Sequence, residues 1–571
     1  MPSVKPKTAA DSRLPRLLTR PTALPGWAGA GLCALGLLFA APGGHAQVKV
    51  AHAAVATENA VASREAMAEL DAGGNAVDAI VRAVLVSGIT APSSSGLGGG
   101  GFAMVWRAAT KEPYFLDFRE TAPAAIDAPP FESRPFKPEE RARAMGVPGE
   151  LLGLWELQHG FGKRAWRDVV LPASRVALNG FPVSPHLSSV LASKWTRLAS
   201  TDPGIGALFF PAGKAIGAAA QVKNPKLGHT LARLAEQGKS PLYEGELGQE
   251  LITTARAFGG ALAASDLASY RTVPRTPLHV SWGGYDVYTA PLPSAGGLMV
   301  AETLGMFSKA ELNRLGQNTG AYQHVLAEAM RGALSDRYRL LGDPAFETVD
   351  EHALLDPKRL AARKANISSE RTQALPRFSE NEHGTHQLLV MDREGNVAAI
   401  TTTVNSAFGC KLSAPQSGIV LNDELDDFTA QKDVTALGLT QSPNRPRPGA
   451  RPISSMTPTI VVKDGKVVFA LGGSGGPLIA TNVTQLLLGR LAFGATPDAL
   501  VHTPRFAVPA AGSTLRVEKG ASPELLADLK WRGEVVQEMP ENPTAVQIIA
   551  SDENGVTAAA DPRKFGSALS K

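Results

Sequence analysis

The chain has 571 residues, 44% hydrophobic and 19% charged, with 57 glycines and 42 prolines, enough to bury one large core or two ordinary ones and neither disordered nor fibrous in composition. Its net charge of +4 is local, because residues 1–46 hold Lys5, Lys7, Arg13, Arg16 and Arg20 against Asp11 alone, and beyond them basic and acidic side chains balance. That balance argues against a nucleic acid or an anionic membrane as partner, since both are held by clustered Lys and Arg.

The N-terminus carries the marks of an export signal: a basic stretch to Arg20, an apolar stretch over 27–41, then Gly44-His45-Ala46 with small residues at the cleavage-determining positions. Cleavage is expected after Ala46, and no later stretch is apolar for the ~20 residues a bilayer span needs. Cys33 lies in this segment, so Cys410 is the only cysteine of the expected mature chain and packing replaces disulfides. A helix is predicted from about Asn75 to Ser87, with Asn75 as its cap, followed by a Gly/Ser loop and a strand over 102–106. Amphipathic helices follow at about 228–237 and 319–341. The stretch 362–384 is polar and aperiodic and is expected to be exposed and mobile. After it come short β-branched runs at 387–392, 396–404, 418–422 and 457–471, the last with an Asp464-Gly465 turn, and then a helix from about 477 to 493. Strand runs flanked by helices point to a layered α+β or α/β fold.

Three familiar patterns fail on context. Gly96 to Gly101 satisfies G-x-G-x-x-G, but it follows a helix and opens a strand, the reverse of a dinucleotide fingerprint. Gly238-Lys239-Ser240 has Arg233 where a phosphate loop needs glycine, and His383 and His386 flank a Gly-Thr pair in a polar segment with no carboxylate-histidine helix beside them. Gly472-Gly473-Ser474-Gly475-Gly476 does sit between a strand and a helix, as a nucleophile elbow should, although its triad would need the cramped pair Asp498 and His502. The same glycines also suit a cradle of backbone N–H groups for an oxyanion.

Gly384-Thr385 marks the junction of the polar stretch with the strand region. A threonine hydroxyl needs an adjacent base, and cutting the chain before it supplies one in the freed α-amine, whose pKa near 8 suits the task. Other residues describe a pocket for an amino acid: Arg119, Ser454 and Ser455 for an α-carboxylate, and Asn405, Glu424 and Asp427 for an α-ammonium.

From about 50 to 566 the chain resembles the gamma-glutamyltranspeptidases, which are self-cleaving N-terminal-nucleophile hydrolases. The matching stretches are GGNAVDA at 73–79, GLGGGGF at 96–102, LDFRE at 116–120, GVPG at 146–149, LGDP at 341–344, TTTVN at 401–405, LNDELDDF at 421–428, RPISSMTPTIVV at 451–462, GGSGG at 472–476 and DPR at 561–563. The resemblance implies an α+β fold, a four-layer αββα sandwich built as one intertwined unit from a large subunit, 47–384, and a small one, 385–571, cut between Gly384 and Thr385. Thr385 resembles the nucleophile, with Thr403 hydrogen-bonding to it, and Gly475 and Gly476 the oxyanion-hole donors, which displaces Ser474. Arg119, Ser454 and Ser455 resemble the α-carboxylate ligands, and Asn405, Glu424 and Asp427 the α-amino ligands. The implied substrates are glutathione and other γ-glutamyl compounds, with water, an amino acid or a dipeptide as acceptor and neither metal nor organic cofactor. Alternatives are a glutaryl acylase of the cephalosporin type and a non-catalytic glutamyl-binding protein. Two departures stand out. His386 and Gln387 follow Thr385 where the family has a second Thr or Ser and then His, and 429–453 lacks the aromatic residue of the lid that covers the substrate in many relatives.

Overall fold

The computed structural model describes residues 51–126, 137–374, 384–509 and 512–571. The expected signal segment 1–46 and residues 375–383 of the polar stretch lie outside them, so its expected mobility is not addressed there. Two antiparallel sheets stack face to face. The first runs in the order Ser567–Ser570, Ala54–Thr57, Gly384–Met391, Val397–Asn405, Gly100–Arg107, Glu112–Asp117 and Val273–Arg275. The second runs Gly555–Ala559, Ala545–Asp552, Lys466–Ser474, Thr459–Lys463, Tyr285–Thr289 and Leu278–Trp282.

The central strands Gly384–Met391 and Val397–Asn405 are buried at every residue, because both faces of their sheet are covered. Alternation splits their side chains between two cores. Leu388, Val390, Ala398 and Ile400 pack with Val77, Ile80 and Val84 of an outer helix. Leu389, Met391, Val397 and Ala399 pack with Ile460, Phe469 and Ile548 of the second sheet, and that core continues to the helices Ala295–Met306, Gly320–Leu340 and Ile479–Leu491. The result is the expected αββα layering.

Helix Ala76–Thr90 is capped by Asn75 and is buried along its whole length; Asp78 completes a capping box. Asp464 and Gly465 both take positive φ, 51° and 74°, as their tight turn requires. Two expectations need correction. Residues 418–422 form no strand: Val420 makes one isolated bridge to Ser413, and Asn422 Nδ2 instead donates to the carbonyls of Gly98 (2.7 Å) and Gly146 (2.9 Å). Residues 362–365 are not aperiodic but finish the helix Pro357–Ala365, whose only buried residue is Leu360. Among the described residues no helix is long and apolar enough to cross a membrane.

The glycine run at 96–101 serves close packing. A Cβ on Gly98 would stand 2.0 Å from the Val420 carbonyl oxygen and one on Gly99 2.0 Å from that of Thr403. The loop therefore lies directly on the strand that carries Thr403.

Candidate active site

Thr385 is buried, second in its strand and opposite Thr403. The register slips between Thr403 and Asn405, so Gly384 comes to face Asn405. This bulge aims Thr403: its hydroxyl donates to the Gly384 carbonyl oxygen at 2.8 Å and accepts from the Asn405 amide at 2.8 Å. The carbonyl so held belongs to the peptide bond between Gly384 and Thr385. Asn405, at φ 71°, carries its amide onto the Asp423 carbonyl at 2.9 Å, next to Glu424.

Glu424–Asp427 form one short helical turn rather than a solvated loop. Arg119, 1% exposed, meets it with its fork, one nitrogen on Glu424 and the other on Asp427 at 2.5 Å, while Nε donates to the Pro452 carbonyl at 3.2 Å. Asp117 accepts from the Arg119 amide at 2.9 Å, and the Tyr270 hydroxyl donates to the Arg119 carbonyl at 2.9 Å, so the backbone of Arg119 is fixed from two sides. Asn444 ties the turn to the serine segment, donating to the Asp427 carbonyl at 2.8 Å and accepting from the Ile453 amide at 3.0 Å. Ser454 Oγ accepts from the Met456 amide at 3.1 Å, and Ser455 Oγ accepts from Arg337.

Burial dominates the electrostatics. It pushes Glu424 up to about 8, with Asp427 and Asp423 adding to the rise and Arg119 opposing it. Glu120 is raised well above the carboxylate range by burial and by Glu424, and neither of its oxygens has a hydrogen-bond partner. Arg119 thus sits buried among the carboxyl groups of Glu424, Asp427 and Glu120.

Gly475 and Gly476 end the strand Lys466–Ser474 at φ 126° and 63° and lead into the helix Ile479–Leu491. A Cβ on Gly475 would lie 2.7 Å from Thr544 Cα, so no other residue fits this turn. Ser474 Oγ accepts from Lys564 Nζ at 2.5 Å, whereas His502, the base its triad would need, is exposed and bonded to the Asp498 carbonyl at 2.9 Å. The nucleophile-elbow alternative is thereby removed. Lys564 also donates to the Thr385 carbonyl at 3.4 Å, joining the Gly475 segment to Thr385.

Hydrogen bonds join Gly384, Thr403 and Asn405 to the Asp423 carbonyl before Glu424, join Glu424 and Asp427 to Arg119, and join that turn through Asn444 to Ile453 beside Ser454, while Lys564 joins Ser474, beside Gly475, to Thr385. Glu58, Glu120, Arg337 and Lys564 were not anticipated. Two of them adjoin recognised stretches, since Glu120 ends LDFRE and Lys564 follows DPR; Glu58 and Arg337 carry no such signal. Arg119→Lys should mature normally yet lower kcat/KM for a γ-glutamyl donor by about ten- to thirtyfold, because it keeps the charge but loses the second, parallel hydrogen bond. Steady-state kinetics on the matured variant check this, and unchanged kcat/KM would remove Arg119 from the donor site.

The family model described as Gamma-glutamyltranspeptidase matches residues 62–570. The chain is 32% identical over 531 residues to the glutathione hydrolase proenzyme of Escherichia coli, covering 90% of this chain and 91% of that one. A cephalosporin acylase from Bacillus halodurans superposes with a TM-score of 0.81 over 91% of this chain and 96% of that one, at 24% identity, a likeness of fold. The gamma-glutamyltranspeptidase from Pseudomonas nitroreducens, complexed with L-DON, matches 54% of this chain and 92% of that one at 33% identity, with a TM-score of 0.50. The chain belongs to the gamma-glutamyltranspeptidase family.

Proposed function

We propose that the chain is exported with cleavage after Ala46, acts in the periplasm or outside the cell, and cuts itself between Gly384 and Thr385 into subunits 47–384 and 385–571. The mature enzyme then cleaves γ-glutamyl amides such as glutathione and passes the acyl group to water, an amino acid or a dipeptide. The observation that carries the reading is the Thr403 hydroxyl held at 2.8 Å on the Gly384 carbonyl, the bond whose scission frees the Thr385 amine.

In maturation the Thr385 hydroxyl oxygen attacks the Gly384 carbonyl carbon while Thr403 donates to its oxygen. The carbon–nitrogen bond breaks, the nitrogen takes the hydroxyl proton, and water hydrolyses the resulting ester to leave a carboxylate at Gly384 and an α-amine on Thr385. In turnover that amine accepts the hydroxyl proton as the oxygen attacks the donor γ-carbonyl. Charge on the carbonyl oxygen is met by the amides of Gly475 and Gly476. The amine then returns the proton to the leaving nitrogen, and water or an acceptor amine repeats the sequence on the γ-glutamyl ester. Arg119, Ser454 and Ser455 bind the α-carboxylate, and Asn405, Glu424 and Asp427 the α-ammonium.

Mass spectrometry and N-terminal sequencing of the purified protein test the cut, and turnover of a chromogenic γ-glutamyl anilide tests the chemistry. A small fragment that begins elsewhere than Thr385 would overturn the assignment. The segment 429–453 holds no Tyr, Trp or Phe to cover the site, so water should reach the ester readily. Hydrolysis is expected to exceed transfer at low dipeptide concentration; a transfer-dominated product ratio there would count against an open site.

A further inference from the structure

Behind the Thr385 strand lies a buried charged cluster that the mechanism above does not use. Lys564 Nζ is 2.5 Å from Ser474 Oγ, 3.4 Å from the Thr385 carbonyl oxygen and 3.5 Å from Glu58 Oε2. Glu58 in turn accepts from the Gln387 amide at 2.9 Å, so the ion pair is bolted to the strand two residues past the nucleophile. Lys564 also lines, with Gly384 and Gly475, a cavity of about 590 Å³ beside the bond to be cut. An amide nitrogen lies within about 3.6 Å of its own residue's carbonyl oxygen, which brings the Lys564 charge to about 7 Å or less from the nitrogen that becomes the Thr385 amine.

We propose that Lys564, anchored by Glu58 and Ser474, is a positioning residue whose cation disfavours protonation of the freed Thr385 amine and so keeps that base neutral at working pH. The proposal rests on Thr385 being the N-terminal nucleophile. A protonated amine cannot accept the hydroxyl proton, and a second positive charge nearby, in surroundings poor in water, makes protonation costlier. Glu58 is held at the Gln387 amide, and burial raises its carboxyl against the pull of Lys564, so it offsets the effect only to the extent that it is ionised.

The other titratable groups around this end of the strand do not supply the same field. His386, the residue where relatives carry a second hydroxyl, is pushed down to about 3 by burial and by Lys564, as is His186 with His386 adding. Both stay neutral across the working range. Arg563 is already paired with Glu518 at 2.6 Å and Asp561 at 3.2 Å, and Arg516 and Glu541 line the cavity with opposite signs.

The test is the acid limb of kcat/KM against pH for a γ-glutamyl anilide, measured on matured wild type, Lys564→Met, Lys564→Arg and Glu58→Gln. Lys564→Met should move the limb up by about one pH unit, Lys564→Arg should leave it in place, and Glu58→Gln, which unmasks the cation, should move it down. Titration of Glu424 is common to all four proteins and cancels in the comparison. A limb that is unmoved in both charge variants, or shifted the same way by both, overturns the proposal. Should Lys564→Met fail to mature, titration of the freed Thr385 amine in matured wild type decides: a pKa at or above the ordinary value near 8 is the overturning result. If wild type itself is not cut before Thr385, the nucleophile assignment has failed; a correctly cut, active wild type with unmoved limbs defeats only the role of Lys564.

Discussion

Thr385→Ala is expected to leave one uncut chain and no measurable γ-glutamyl turnover, a loss of at least about 10⁴-fold in kcat. The substitution removes both groups the chemistry needs, since without the hydroxyl there is no attack on Gly384, and without that cut there is no free amine. It disturbs little else. The Thr403 hydroxyl still finds the Gly384 carbonyl, and the neighbouring strand residues stay fully buried, so the cost in stability is that of a hydroxyl and one buried methyl, about 1–2 kcal/mol. Thr385→Ser supplies the control for packing. It keeps the hydroxyl and loses only the methyl, so it should still mature and turn over, more slowly because the oxygen is less constrained about χ1. Electrophoresis of the two variants beside wild type, followed by anilide turnover, reads the result. An alanine variant that is still cut at the same bond would show that another group performs the cleavage.

What the sequence revealed follows from what each element exposes as a pattern. The Asn75 cap, the Asp464-Gly465 turn and the two central strands were legible because capping, turn chemistry and β-branched runs are local properties. Residues 418–422 carry the same apolar signature but spend their hydrogen bonds on loops; burial was legible there and the partner was not. The helix Pro357–Ala365 was hidden because a single buried leucine gives no period.

The site divides in the same way. Gly384-Thr385 is a common pair, made meaningful only by Arg119, Glu424, Asp427 and the serines, which lie far apart in sequence and were grouped by the chemistry of an amino-acid ligand and by resemblance to a family. That Arg119 pairs with Glu424 and Asp427 was not foreseen, because the sequence assigned each a ligand and said nothing of how they meet one another. Glu58 and Lys564 come from opposite ends of the chain and meet because the strand Ala54–Thr57 pairs with the edge strand Ser567–Ser570. A lone charged residue in sequence is most often solvated; only the fold shows it buried.

Asp427→Asn is expected to separate a γ-glutamyl from a glutaryl donor, which share the carboxylate and differ in the α-ammonium. On the function proposed above, the ammonium gives the Asp427 carboxylate a cation to face once the donor carboxylate occupies the Arg119 fork. Removing one partner of a desolvated, hydrogen-bonded charge pair costs roughly 2–5 kcal/mol. The Asp427 side chain is 17% exposed, and water partly replaces the lost partner, so the lower half of that range applies: about thirty- to three-hundredfold in kcat/KM for the γ-glutamyl anilide. The glutaryl anilide meets no ammonium site and should react with Asp427→Asn as well as with wild type, or better, since a carboxylate near its own has been neutralised. Maturation between Gly384 and Thr385 should be intact, because the acyl shift at that bond uses the hydroxyls of Thr385 and Thr403 and no atom of Asp427. The competing role is structural, as Asp427 also holds one arm of the Arg119 fork at 2.5 Å. If that is its whole contribution, a misplaced Arg119 weakens carboxylate binding for both donors and the two rates fall together. Parallel kinetics on the two anilides separate these cases, and a wild-type preference for the glutaryl donor would turn the assignment toward an acylase.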